Sequence, residues 1–204
     1  MRDLDAICTT LLAAPRKGRR RLVALAGAPA SGKSTLAQDL ADRMTAAGCD
    51  TRVLPMDGFH LGNTQLHAQG NFAQKGAPQT FDVRGFLMLV ARIQTEDEVF
   101  YPIFDRTLDA AIAAEGRVDK VCDTVIVEGN YLLFDAQDWR DLVAFWDISL
   151  RLKVSRDILQ QRLLERWLGQ GLSPAAALIR AQGNDLVNAD LIAKLPLKAD
   201  ILLD

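Results

Sequence analysis

Residues 27 to 34 read Gly-Ala-Pro-Ala-Ser-Gly-Lys-Ser, which fits G-x-x-x-x-G-K-[ST], and they follow an apolar run from Leu22 to Ala26. No other stretch constrains the fold as strongly. The apolar run reads as a buried strand, and Leu36, Leu40, Met44 and Ala47 mark one face of a helix that stops at Gly48. A strand, a tight glycine-containing loop and a helix start, in that order, aim several backbone N–H groups and the positive end of a helix dipole at one spot. That spot suits phosphate. Gly27, Ala28, Pro29, Ala30, Ser31, Gly32, Lys33, Ser34 and Thr35 are therefore the expected nucleotide-binding residues, with Lys33 reaching the β- and γ-phosphates and the Ser34 hydroxyl offered to Mg²⁺.

The rest of the chain repeats strand and helix in alternation. Thr51 to Met56 reads as a second strand, Glu98 to Phe104 as strand-like before a polar linker, and Thr124 to Glu128, Phe145 to Leu152 and Ile201 to Leu203 as further strands. Helical spacing appears at Leu4 to Leu12, at Asp82 to Gln94 with Asp82 as N-cap, and at Ser155 to Leu168 with Ser155 as a cap; Pro174 starts another helix. This pattern predicts an α/β fold, a mostly parallel five-stranded sheet flanked by helices with a helical lid. With 204 residues, 49% of them hydrophobic, the chain supports one α/β core, a single domain over 1–204. A net charge of -2 argues against nucleic acid, and the basic run from Arg16 to Arg21 reads as a solvated loop. Cys8, Cys49 and Cys122 are odd in number and lack metal spacing, which suits a reducing cytoplasm; no segment reads as a leader or membrane span. A homodimer stays open.

In an open parallel sheet, ligands sit beyond the carboxyl ends of the strands, which gives weight to polar residues there. Glu128 ends an otherwise apolar strand, where a carboxylate is costly unless it meets a metal or a wet cleft; with Ser34 it forms the expected Mg²⁺ site. Asp57 follows the second strand and is placed to take the proton of an attacking hydroxyl, although Asp57-Gly58 is also a turn signal. The segment 57–82 is irregular and polar, long enough to hold an acceptor, with His60 and Lys75 in it and Arg106 beyond it as candidate grips. His60 and His67 lack metal-ligand company, and each reads as a surface or substrate-hydrogen-bonding residue rather than a zinc ligand. Arg162 and Arg166 share a helix face before Gly169 and Gly171, so the stretch 162–175 reads as a lid whose arginines close on the phosphates.

The strings Met56-Asp57-Gly58-Phe59-His60, Lys75 to Asp82, Tyr101 to Arg106 and Val127-Glu128-Gly129-Asn130-Tyr131 resemble, together with the phosphate loop, the P-loop kinases that include uridine kinase, phosphoribulokinase and bacterial pantothenate kinase. Within that branch they are most similar to kinases of sugar, notably fructose, import systems. The resemblance implies an ATP- and Mg²⁺-dependent kinase acting on a small-molecule hydroxyl. It makes Asp57 the general base, Glu128 the magnesium-linked acid, and Arg162 and Arg166 lid residues, with His60, Lys75 and Arg106 facing the acceptor. Asn184 and Asn188 match a recurring segment and are expected to cap a helix. Ala30 stands where many relatives carry glycine, with phosphate binding expected to survive. A nucleoside or pantothenate kinase, or a regulatory ATPase with no acceptor, are the alternatives.

Overall fold

The computed structural model describes residues 3–204. Helix α1 (Leu4–Ala13) leads into β1 (Arg21–Gly27), α2 (Lys33–Ala46) and β2 (Thr51–Pro55). Then come α3 (Asn63–Ala68), α4 (Val83–Thr95), β3 (Val99–Asp105), β4 (Ala110–Val118) and β5 (Thr124–Gly129). The chain finishes with β6 (Ile148–Leu152), α5 (Arg156–Gly169), α6 (Pro174–Arg180), α7 (Leu186–Lys194) and β7 (Ile201–Leu203).

Five strands form one sheet in the order β2-β5-β1-β6-β7, and every neighbouring pair is parallel. Because side chains alternate across a strand, the wholly buried β1 feeds two cores. Leu22, Ala24 and Ala26 pack on the face covered by α4, while Val23 and Leu25 pack with α1 and α2 on the other. Asp82 caps α4 as its sequence position predicts, accepting from the Gly85 amide at 2.9 Å. The central strands end together at the phosphate loop and at Glu128, which sits in register beside Leu25 and Pro55.

Several expectations are corrected. The basic run is no solvated loop at its end: Arg20 is fully buried and donates to the carbonyls of Ile93, Glu96, Asp97 and Asp119, which stitches the entry to β1 to the end of α4 and to the loops before β3 and after β4. Arg21 is buried too, bonded to Ala14 O, Leu12 O and Thr124 Oγ1. The linker after Phe104 is largely β4, which pairs antiparallel with β3 as a separate hairpin. Its residues are small and mostly exposed, so apolar alternation is weak. Only Ile148–Leu152 of the stretch beginning at Phe145 is strand, since Trp139–Phe145 forms a short 3-10 turn. Ser155 precedes α5 without a side-chain cap bond; it is Ser173 that caps, at α6. The irregular segment contains α3 and three short 3-10 turns.

Candidate active site

The phosphate loop is built as its sequence requires. Gly32 takes φ +92°, a conformation open to glycine, and hands the chain to α2, whose first residues are Lys33 and Ser34. Ala30 also lies at positive φ, +61°, so the position often filled by glycine is a left-handed one here occupied by a methyl-bearing residue. From α5, Arg162 Nη1 donates to the carbonyls of Ala30 at 3.3 Å and Ser31 at 3.1 Å. It braces the loop from outside.

Across the loop, the Ser34 hydroxyl donates to Glu128 Oε1 at 2.9 Å. Burial drives the Glu128 carboxyl above its ordinary value, opposed mainly by the Lys33 ammonium. A buried carboxylate and a hydroxyl side by side are hard oxygen donors of the kind Mg²⁺ takes, and this ion habitually completes its shell with phosphate oxygens and water rather than with protein. The residues fit that ion.

Asp57 lies in the short turn Met56–Phe59 just past β2. Gly58 next to it presses against β3 so closely that a Cβ there would fall 1.9 Å from the Pro102 carbonyl oxygen, which explains the glycine and fixes the turn against the hairpin. The turn signal and the candidate base are the same feature. Arg106, at the hairpin tip, meets Asp57 Oδ2 at 3.2 Å. A cavity of about 320 Å³ runs from the phosphate loop to this turn and is lined by Lys33, Ser34, Asp57, His60, Arg106 and Glu128 among others.

Lys75 also reaches the cavity, but its ammonium is fully engaged. It donates to Asn63 Oδ1 at 2.6 Å and to Asp109 O at 2.7 Å, and pairs with Asp109 Oδ1 at 2.9 Å, with the Phe104 ring 4.9 Å away. An ammonium has three protons, so no donor is left for a ligand in this state. Lys75 clamps the hairpin onto the segment 57–82. Asn184 and Asn188 do not cap a helix: Asn184 Nδ2 donates to Lys75 O at 2.8 Å, and Asn188 Nδ2 to Asn184 Oδ1 at 3.2 Å. They are brought there by a π-helical turn, Ala181–Asp185, between α6 and α7, a distortion that frequently marks functional positions. His67 stacks on Phe72 away from this network.

Arg166 lines the cavity, its guanidinium pulled below its ordinary value by burial and then by the nearby charge of Arg106. Three neighbours escaped the sequence reading. Trp167 lies between Arg166 and Arg180, each guanidinium 5.2 Å from its ring, and its Nε1 donates to Asp185 Oδ2 at 2.8 Å. Trp167 adjoins a singled-out arginine and Asp185 adjoins Asn184, so adjacency was the available signal; Arg180 offered none.

No family model matches the chain. A protein of Schizosaccharomyces pombe that carries a uridine kinase name is 33% identical over 195 residues, which cover 91% of this chain and 83% of that one. A solved structure from Silicibacter sp. TM1040, named for a fructose transport system kinase, is 49% identical over the whole of both chains with a TM-score of 0.96. The chain belongs to the P-loop kinases of the uridine kinase branch. The fold of this kinase also matches phosphoribulokinase from Rhodobacter spheroides, at 10% identity and TM-score 0.57 over 85% of this chain and 68% of that one. Among the described residues no helix is long and apolar enough to cross a membrane.

Proposed function

We propose that this kinase moves the γ-phosphoryl group of ATP to a hydroxyl of a small sugar-like molecule, with fructose the first candidate. The observation that carries the reading is one cavity whose lining brings Lys33 and Ser34 together with Asp57, His60 and Arg106. Loop amides and Lys33 hold the triphosphate. Asp57 accepts the acceptor's proton as its oxygen bonds to the γ-phosphorus, while the bond from that phosphorus to the bridging β–γ oxygen breaks and ADP leaves. Arg106 must let go of Asp57 for this, and Arg166 is placed to offset charge on the transferring group. Ser34 and Glu128 would hold Mg²⁺, which when bound supplies neutralising charge to phosphate oxygens. The stretch 162–175 acts as the lid, with Arg162 keeping the loop in shape. The fructose candidate rests on the name of the 49% identical neighbour.

The test is ADP release from ATP and Mg²⁺ in the presence of D-fructose, D-ribose, uridine, D-glycerate or pantothenate. Acceptor-dependent release with a phosphorylated product is expected for at least one sugar. Release that no acceptor stimulates would overturn the kinase assignment of this site in favour of a regulatory ATPase.

A further inference from the structure

Four cations besides Lys33 line the cavity, and three of them are already engaged. Lys75 holds Asn63 and Asp109, Arg106 meets Asp57, and Arg180 Nη1 donates to Ala73 O at 3.2 Å. Arg166 is the exception. Among the described residues its guanidinium makes no hydrogen bond and no ion pair, so all five N–H donors are uncommitted. An arginine without a partner keeps its rotamer freedom, and a group that must meet charge at one point gains little from being near it only on average. The restraint on Arg166 comes from the residue next to it. The Trp167 ring lies 5.2 Å from its guanidinium and 5.2 Å from that of Arg180, and the ring is held by its Nε1, which donates to Asp185 Oδ2 at 2.8 Å. Burial raises the Asp185 carboxyl above its ordinary value, opposed first by that hydrogen bond and then by the charges of Arg180 and Arg166. Asp185 is itself anchored. It ends the π-helical turn Ala181–Asp185, in which its neighbour Asn184 is buried and donates to Lys75 O at 2.8 Å. Helix α5 is thus tied at Arg162 to the phosphate loop and, one turn further on, through Trp167 and Asp185 to the segment that carries Asp57.

Resting on the phosphotransfer reading above, in which Arg166 offsets charge on the transferring group, we propose that Asp185 is a positioning residue: it holds the Trp167 indole and faces the Arg166 guanidinium, so that the unengaged fork of Arg166 is aimed into the cavity before substrate enters. Asp185 touches no reacting atom and acts through Arg166. Arg180, pinned to the Ala73 carbonyl, shares the carboxylate without joining in the transfer.

The experiment is a double-mutant cycle on the panel acceptor with the highest kcat/KM. Arg166→Ala should lower kcat by about 10²-fold. Asp185→Asn removes the charge but keeps an oxygen that can accept from the indole; it should lower kcat by about tenfold, with KM for ATP and for the acceptor held within about twofold. Made in the Arg166→Ala background, Asp185→Asn should cost less than about twofold more. Guanidinium ion added to Arg166→Ala should restore part of kcat, and restore less once Asp185→Asn has removed the charge that seats it, a dependence that a merely structural role does not produce. Trp167→Phe, which keeps a ring but loses the N–H donor, carries the same cycle if Asp185→Asn does not fold; its loss too should vanish without Arg166. Wild-type kcat in Asp185→Asn beside a slow Arg166→Ala, a tenfold loss that persists without Arg166, or equal guanidinium rescue with and without Asp185 overturns the positioning role alone and leaves phosphotransfer standing. So does an Arg166→Ala enzyme as fast as wild type. Release of ADP that no panel member stimulates overturns the phosphotransfer reading and this one with it.

Discussion

On the proposed nucleotide side of the cavity the candidate residues are neighbours in the chain, from Gly27 to Thr35, and the main chain holds them, as in Ser31 N to Ala28 O and Leu36 N to Gly32 O. The proposed acceptor side is made from distant pieces: Asn63 meets Asp109 across 46 residues, Asn184 meets Lys75 across 109, and Tyr131 meets the Gly76 carbonyl across 55. The loop depends on backbone conformation, so most of its side chains are free to vary. The acceptor wall depends on particular donors and acceptors, so each side chain carries part of its shape. One fold can therefore keep a phosphate grip while its acceptor wall is rebuilt.

Separate loss of each half breaks the comparison hardest if it fails. Lys33→Ala is expected to lower kcat by roughly 10²–10³ and to weaken nucleotide binding, since it removes a charge aimed at the phosphates. Asp57→Asn should lower kcat by roughly 10²–10⁴ while nucleotide affinity stays near wild type. Neither residue is part of a hydrophobic core, so both variants should melt close to wild type. Nucleotide titration and ADP release measured together decide the matter; an Asp57→Asn variant with near-normal turnover removes Asp57 as the base.

Lys75→Met asks whether the wall is as side-chain dependent as the comparison holds. The ammonium is 8% exposed and Asp109 is half exposed, so the partner left behind is partly rescued by water. A loss of about 2 kcal/mol follows, near 6 °C in Tm for a chain of this size. The acceptor KM should rise with it, because Lys75 also fixes the hairpin that carries Arg106, while nucleotide affinity should hold. Equal damage to both affinities would mean that the two sides are not separable.

Glu128→Gln sharpens the boundary between the halves through pH. The folded carboxyl titrates above its free value, so in the ligand-free protein its contribution to stability is present at low pH and is lost as pH rises from about 4.5 through the raised value. Glutamine cannot ionise and skips that loss. Thermal melts from pH 4 upward should show the variant gaining on wild type by up to a few degrees as pH rises, even as its turnover falls. A difference that stays flat with pH would remove Glu128 as a desolvated acid.

These contrasts also explain what the sequence disclosed. The β1 strand, the loop, α2 and the α4 cap announce themselves through local periodicity and fixed motif spacing, and so does Glu128 at the end of an apolar strand. Arg20 misled because a run of basic residues carries no sign of the carbonyls that receive one of them. The β4 strand hid behind small residues, Ala110 to Ala114 with one isoleucine, that pair through backbone alone. The engagement of Lys75 and the contact of Asn184 arise only after segments far apart in sequence are brought together, and no residue pattern near either one encodes its partner.

The smallest effect should come from the loop itself. Gly32→Ala places a Cβ at φ +92° with open space around it, the nearest atom being Arg162 Nη1 at 3.8 Å, so conformational strain alone should cost about 1–2 kcal/mol and weaken nucleotide binding. Ala30→Gly runs the other way at φ +61°. It relieves about 1 kcal/mol of left-handed strain, but loosens the unfolded chain by about 0.5–1 kcal/mol and removes a partly buried methyl that packs against the small core cluster of α5 and α7. The terms nearly cancel, so Tm should move by less than about 2 °C and nucleotide affinity by less than about threefold. A large loss in Ala30→Gly would mean that the loop is held by its side-chain packing under α5 and not by its backbone, and the contrast between the two halves would then fail on the side where it looks firmest.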